Sequence, residues 1–393
     1  MPPRSITTAD VAGKRVLVRV DFNVPIENGA IADDTRIRAA LPTIAWLRER
    51  GATIILCSHL GRPKGKRDPK FSLAIVAERL SEIIATPVQL IGAIVGPEAE
   101  TQVKSLKPGD VALLENIRFE PGEEANDPEL AKQLAALGDL FVNDAFGAAH
   151  RAHASTVGVT QFLPAYAGFL IDAELKALDR IVEHPERPFV AILGGAKVSD
   201  KLAVLDNLLG KVDALLIGGG MANTLLLAQG KSVGTSLAEP DLVERGRELF
   251  ERANALGAAL EVPTDAIVSD SIDGDGWRAP IDTIDAGDAI FDIGPETAER
   301  YSGIIATAKT IFWNGPMGVA EKPQFSNGTR DLARAVAESS GYSVVGGGDS
   351  VAAVEQLGFA DRIDHISTGG GASLEYVEGR TLPGIAAIPQ AEG

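Results

Sequence analysis

The stretch Phe189-Val-Ala-Ile-Leu-Gly-Gly-Ala-Lys-Val-Ser-Asp-Lys-Leu-Ala-Val-Leu-Asp-Asn-Leu-Leu209 contains the unit from which the chain is built. Phe189–Leu193 is short and wholly apolar, as strands covered on both faces are. Gly194-Gly195-Ala196-Lys197 follows at once, and Lys201–Leu209 has helical periodicity. The same order of strand, turn and helix continues outward in both directions. Further strands are expected at Arg15–Val20, Thr53–Ser58, Val111–Glu115 and Leu140–Asn143, then at Ala214–Ile217, Thr310–Trp313 and Ser343–Val345. Helical spacing lies between them at Thr35–Arg50, Ser72–Ile84, Pro128–Leu137, Pro240–Leu256 and Pro295–Ala308, with Asp33 and Asp34 as caps for the first. Such alternation predicts the α/β class, with mainly parallel sheets and crossover helices.

The strands fall into two clusters, so two doubly wound lobes are expected, joined by an interdomain helix and hinge. Ile171–Val182, with Leu175, Leu178 and Ile181 on one face, reads as the connecting helix. His184-Pro-Glu-Arg-Pro188 reads as a linker. This sets domains at 1–170 and 188–377, with 171–187 between them.

Of the 393 residues, 45% are hydrophobic and 23% charged, which suits a large buried core. No run of about 18 apolar residues suggests a membrane span. Met1–Thr8 lacks the apolar segment of a secretory signal. The single cysteine, Cys57, cannot form an internal disulfide and lies in an apolar run. It is expected to be a buried strand residue in a cytoplasmic protein. The net charge of −17 argues against non-specific nucleic-acid binding. It also sets a condition: an anionic ligand needs a local concentration of Arg, Lys and backbone N–H groups.

The strand ends meet that condition. Ligands of open α/β sheets bind outside the carboxyl ends of strands. In the first half these ends are followed by Asp21 and Asn23, by His59, Leu60, Gly61 and Arg62, by Asn116 and Arg118, and by Asp144, His150, Arg151 and His153. Arg36 and Arg38 open the helix after the first loop. Arginine suits bidentate recognition of phosphate and carboxylate. For any one of them a solvated salt bridge is the alternative. His150 and His153 are three apart without an acidic or cysteine cluster, so hydrogen bonding is expected of them rather than metal ligation.

In the second half, glycine clusters follow strands: Gly194-Gly195, Gly218-Gly219-Gly220, Gly346-Gly347-Gly348-Asp349-Ser350 and Gly369-Gly370-Gly371. Glycine lets backbone N–H groups approach a phosphate, and a helix beginning after Ser350 adds a positive dipole end. Tight turns between packed elements are the alternative. Asp349 is placed to hold Mg²⁺ bridging nucleotide phosphates. Lys197 and Lys201 share a face if the helix starts early enough. No stretch fits the P-loop or the dinucleotide fingerprint.

Ten motifs occur in order: Arg19-Val-Asp-Phe-Asn-Val-Pro25, Ser58-His-Leu-Gly-Arg-Pro63, Glu115-Asn-Ile-Arg-Phe119, Asn143-Asp-Ala-Phe-Gly147, His150-Arg-Ala-His153, Gly194-Gly-Ala-Lys-Val-Ser-Asp-Lys201, Gly218-Gly-Gly-Met-Ala222, Trp313-Asn-Gly-Pro-Met-Gly318, Gly346-Gly-Gly-Asp349 and Ser367-Thr-Gly-Gly-Gly-Ala-Ser373. From Val16 to about Ile388 the set closely resembles the phosphoglycerate kinase family. The resemblance implies reversible phosphoryl transfer between ATP and the carboxylate of 3-phosphoglycerate, giving ADP and 1,3-bisphosphoglycerate, with Mg²⁺. It implies a glycolytic, monomeric, cytoplasmic enzyme whose tail, 378–393, packs back on the first lobe.

By the same resemblance, Asp21, Asn23, Arg36, His59, Leu60, Gly61, Arg62, Arg118 and Arg151 hold 3-phosphoglycerate. Gly194, Lys197, Lys201, Gly218, Gly294, Asn314, Glu321, Gly347, Gly348, Asp349 and Ser350 serve the nucleotide, with Glu321 at the ribose and Asp349 at the metal. Arg36, Lys197, Lys201, Gly370 and Gly371 meet the charge in flight. The departures are small: Ser350 stands where Thr is frequent, and Leu225 where Phe is. No general base is needed, because the attacking carboxylate is already ionised. With the half-sites on different lobes, transfer is expected in line on lobe closure. The residues alone leave open another carboxylate kinase, a non-catalytic binding protein, or an oxidoreductase.

Overall fold

Val16, Leu17, Val18, Arg19 and Val20 are all fully buried, which requires that both faces of their sheet be covered. In the computed structural model, which describes residues 2–391, they lie in a six-stranded sheet. Its order is Val88–Ile91, Val111–Leu114, Thr53–Cys57, Arg15–Val20, Leu140–Asp144, Ala165–Ala167. Every pairing is parallel. The two-residue period of the strands sorts their side chains into two cores. Val16, Val18 and Val20 pack with Ile54, Leu56, Ile37 and Leu47 on one face. Leu17 packs with Ile55, Cys57, Leu114 and Phe141 on the other.

A second six-stranded sheet has the order Ala259–Glu261, Ala214–Ile217, Phe189–Leu193, Thr310–Asn314, Tyr342–Gly346, His365–Ile366. It too is parallel throughout. From Phe189–Leu193 the chain works out to one edge, then restarts beside the same strand at Thr310–Asn314 and works out to the other. The loops leaving those two strands run in opposite directions, and a crevice opens between them. In the first sheet the corresponding reversal lies between Arg15–Val20 and Leu140–Asp144. A small antiparallel sheet, Trp277–Pro280, Asp265–Ser269 and Ala289–Ile293, was not expected from the sequence.

The chain divides into two compact units. One runs to Lys176 and includes the segment from Thr381 onward; the other is Ala177–Arg380. The division falls inside the helix Phe169–Val182, whose first turns belong to one unit and whose last turns belong to the other. Residues 378–380, expected in the returning tail, stay with the second unit. Within the first unit the tail is held by backbone bonds: Gly384 N–H to the Ala149 carbonyl (2.8 Å) and Arg4 N–H to the Pro389 carbonyl (2.8 Å).

The helix expected at Thr35–Arg50 is two, Thr35–Ala39 and Leu41–Glu49. Pro42 has no N–H to continue the earlier ladder but fits a first turn. Asp33 accepts from Thr35 N–H at 2.8 Å, whereas Asp34 caps nothing with its side chain and instead pairs with Arg38 and Arg79. Among the described residues, no helix is long and apolar enough to cross a membrane.

Candidate active site

At the carboxyl edge of the first sheet, three loops are tied together around Asp21. Arg36 Nη1 donates to Asp21 Oδ2 at 2.9 Å. Asn23 N–H turns back to Asp21 Oδ1 (3.2 Å), while the Asn23 side chain accepts from Gly61 N–H (2.8 Å). Arg118 donates to the Gly61 carbonyl at 2.9 Å. Gly61 has φ +61°, and a Cβ there would lie 2.4 Å from the Phe71 ring, so this close turn requires glycine. Asn116, fully buried, clamps the same loop by donating to the carbonyls of Leu60 (2.7 Å) and Phe71 (2.8 Å). Leu60 is buried and packs into the core, whereas Arg62 and Arg151 are exposed.

The electrostatics of this edge are unusual for an acidic chain. Burial drives His59 well below the ordinary imidazole value; Asp21 opposes that, and Arg19, Arg118 and Arg36 add to it. Burial also works to raise Asp21, but the neighbouring His59, Arg36 and Arg19 and the Asn23 N–H outweigh it and hold the carboxyl below its usual value. With His59 neutral near pH 7, Arg36, Arg19 and the Asn23 N–H are what keep Asp21 ionised. The Arg118 guanidinium is lowered first by burial; Glu124, 3.4 Å away, and Glu123 oppose this, and Arg19 and Arg151 push it further down. Cations are thus held in mutual repulsion at one sheet edge.

In the second unit, the crevice between Phe189–Leu193 and Thr310–Asn314 is backbone-lined. Gly194 N–H donates to the Asn314 carbonyl (3.0 Å), and a Cβ on Gly194 would lie 1.8 Å from the Pro316 carbonyl oxygen. Lys201, buried, donates to Asn314 Oδ1 (2.6 Å) and to its carbonyl (2.9 Å). Burial pushes the Lys201 amine down to about 8, with Asp349 and Asp200 opposing. Since Oδ1 is held by Lys201, the amide orientation of Asn314 is settled, and its Nδ2 is buried with no partner among the described residues. That atom lies against Gly347, whose φ is +91°. The helix Gly348–Gln356 starts there, earlier than expected, and puts Asp349 in its first turn. Ser350 is fully buried and its hydroxyl accepts from Gly315 N–H (2.6 Å).

Lys197 and Lys201 do not share a helical face. Ser199–Lys201 is a 3₁₀ turn and the α-helix begins only at Leu202, leaving Lys197 exposed and Lys201 turned inward. Beside the crevice is a cleft of about 500 Å³ lined by Gly195, Gly219, Gly220, Leu237, Phe291, Pro316, Val319, Glu321 and Asp349, among others. Gly218 allows the turn into it, since a Cβ would meet Met317 Sδ at 2.5 Å. Gly294 follows Ile293 of the cleft wall, and its missing Cβ makes room for the Asp265 carboxylate. Gly370 has φ +53° with open space around it, and Gly371 begins the helix Gly371–Val377. Among the described residues no cluster of three or more His, Cys, Asp or Glu could hold a metal ion. His153 is instead buried with Nδ1 3.6 Å from Glu123.

The sequence profile described as phosphoglycerate kinase matches residues 6–380. The chain belongs to the phosphoglycerate kinase family. It is 58% identical to the phosphoglycerate kinase of Roseiflexus sp. (strain RS-1) over 395 residues, covering 100% of both chains. Its fold is similar to that of the phosphoglycerate kinase from Coxiella burnetii, with a TM-score of 0.89, 45% identity and coverage of 98% and 99% of the two chains. The enzyme from Pyrococcus horikoshii OT3 gives 0.87 and 35%, with coverage of 98% of each chain.

As a phosphoglycerate kinase by family, the chain is an ATP-dependent phosphotransferase with a carboxyl acceptor and small-molecule substrates. Three residues of the first edge escaped the sequence reading: Arg19, Glu123 and Ser155, all essentially buried. The signal for Arg19 was available, since it is a charged residue inside an apolar strand. Ser155 had none, because its partner lies 136 residues away.

Proposed function

We propose that the first unit holds 3-phosphoglycerate through Asp21, Asn23, Arg36, His59, Arg62, Arg118 and Arg151, and that the second holds ATP or ADP around Lys201, Asn314 and the glycine turns. The observation that carries this reading is the gathering of cations at one sheet edge: Arg19 and Arg151 repel Arg118, and Arg19, Arg118 and Arg36 disfavour a charged His59, with Asp21, Glu123 and Glu124 opposing. Keeping like charges together costs stability, and a phosphorylated acid relieves it. The buried, unpaired Asn314 Nδ2 asks the same of the second unit.

The acid's carboxylate oxygen attacks the γ-phosphorus of ATP, a new O–P bond forms, and the bond to ADP breaks with ADP carrying away the electron pair. No proton has to move. His59, neutral at pH 7, serves as a hydrogen-bond donor and not as a base. Arg36 and Lys201 meet the charge on the transferring group. Gly370 and Gly371, which follow the edge strand His365–Ile366 of the second sheet, are assigned to the same charge through their N–H groups. The half-sites belong to different units, so transfer needs both ligands brought in line.

Asp349 would hold Mg²⁺ through one carboxylate, which suits a nucleotide-bound ion better than an all-protein cage. Bound there, the ion supplies charge neutralisation on the phosphates. A cytoplasmic monomer without nucleic-acid partners completes the reading.

Calorimetric titration tests the division of labour. Lys201→Met should weaken ADP and leave 3-phosphoglycerate binding unchanged, and Arg118→Ala should do the reverse. Equal weakening of both ligands by either variant contradicts separate half-sites.

A further inference from the structure

Four side chains behind the Asp21 edge form a chain of hydrogen bonds whose direction is determined at every link. Glu123 is completely buried. Burial raises its carboxyl, but His153, Arg19 and Ser155 outweigh that and keep it below its usual value, so it is an acceptor only. Ser155 Oγ, 2.6 Å from Glu123 Oε1, must therefore donate to it. The same hydroxyl oxygen then accepts from Arg19 Nε at 2.8 Å. Arg19, also completely buried, has no acceptor atom, so its Nη2, 3.1 Å from His59 Nδ1, donates there. The competing partner of Nδ1 is Asp21 Oδ1, at 4.0 Å, which is beyond hydrogen-bond reach.

We propose that Arg19 is a positioning residue that holds His59 in the neutral tautomer with its proton on Nε2, so that His59 donates to an oxygen of the anionic acid. The donor half of this statement rests on the acid site proposed above; the tautomer half does not. Burial disfavours an imidazolium at His59 most, and the facing cations add to that. Arg19, Arg36 and Arg118 disfavour an imidazolium, and Asp21 alone favours one. A ring locked this way offers an anion one directed N–H, and it cannot abstract a proton through Nδ1.

The experiment is nitrogen NMR on the full-length chain with ¹⁵N-labelled histidine at pH 7. The five histidines are sorted by comparison with His59→Gln. The expected His59 spectrum has an unprotonated Nδ1 and a protonated Nε2, with no second tautomer. A protonated Nδ1, or an imidazolium, overturns the proposal.

Ser155→Ala removes the hydroxyl that orients Arg19 Nε. It should mix the two tautomers and raise KM for 3-phosphoglycerate about tenfold, the worth of one hydrogen bond to a charged group, with kcat changed less. An unmixed tautomer with unchanged KM removes Arg19 from the role. If the wild-type tautomer is as expected but 3-phosphoglycerate leaves the Nε2 resonance unmoved, the acid-site reading fails and the role of Arg19 stands.

Discussion

Lys201 Nζ stands 2.6 Å from Asn314 Oδ1 and 2.9 Å from the carbonyl oxygen of the same residue. One buried cation thereby orients the side chain at the end of the Thr310–Asn314 strand and leaves Asn314 Nδ2 as a donor without a partner among the described residues. Replacing Asn314 by Ala removes that donor and an acceptor of Lys201. Affinity for ADP should fall at least tenfold, since a hydrogen bond involving a charged group is worth about 1.5–3 kcal/mol. Binding of 3-phosphoglycerate should be unchanged. Titration of each ligand separately checks this.

Nucleotide affinity should also depend on pH through Lys201. Its amine is cationic below its pKa, which burial has pushed down to about 8. The attraction for phosphate is therefore complete at pH 7 and is lost as the pH rises through that value. Bound nucleotide shifts the transition upward. Affinities for ADP measured from pH 7 to 9.5 should decline in the parent protein and stay nearly flat in Lys201→Met.

Asp144 gives a stability prediction of opposite chemical type. It ends the Leu140–Asp144 strand and accepts from Leu170 N–H (2.9 Å) at the start of the Phe169–Val182 helix. Burial pushes its carboxyl up to about 7; the Thr43 hydroxyl and the N–H groups of Leu170 and Ile171 work against that, and Asp172 adds to it. A folded pKa above the unfolded value means that the folded form keeps a proton which the unfolded chain has released. Stability contributed by this group is present below about pH 4 and is lost as the pH rises toward 7. The span of about three units corresponds to on the order of 4 kcal/mol. Relative to the parent, Asp144→Asn should gain stability between pH 5 and pH 7.5, as measured by denaturant midpoints.

Cys57 should be chemically silent in the native protein. Its thiol is fully buried and pushed up to about 12 by burial, Arg19 acting against that and Glu123 with it. A maleimide should label it only after unfolding, which makes it a reporter of the first unit. Rapid labelling under native conditions contradicts the packing described.

The parts of the fold that were legible are those buried on both faces. Val16–Val20 and Phe189–Leu193 read as strands because no position along them meets water. Val88–Ile91 did not, since Gln89 is exposed on this edge strand, and the antiparallel sheet has exposed Trp277 and Arg278. The helix Asn327–Glu338 escaped notice because its solvent face is densely polar, although Leu332, Ala333 and Val336 line the core. At the candidate site, the gathering of Arg36, His59 and Arg118 at one sheet edge was legible because His59 and Arg118 follow strand ends and Arg36 opens the helix after the first loop. The Glu123–Ser155–Arg19 chain was not, because its links join residues distant in sequence and appear only when Arg15–Val20 is set beside Leu140–Asp144.

The most direct test is steady-state turnover with ATP, Mg²⁺ and 3-phosphoglycerate, run on the parent protein and on Arg36→Ala. Arg36 pairs with Asp21 at 2.9 Å and is proposed to meet the charge that develops during transfer. A charge pair at about 4 Å is worth roughly 4 kcal/mol at an effective dielectric of 20, or about a thousandfold in rate. The account predicts a fall in kcat of about that size with KM for the acid changed only a few-fold. A variant with unchanged kcat and an effect confined to KM would contradict it.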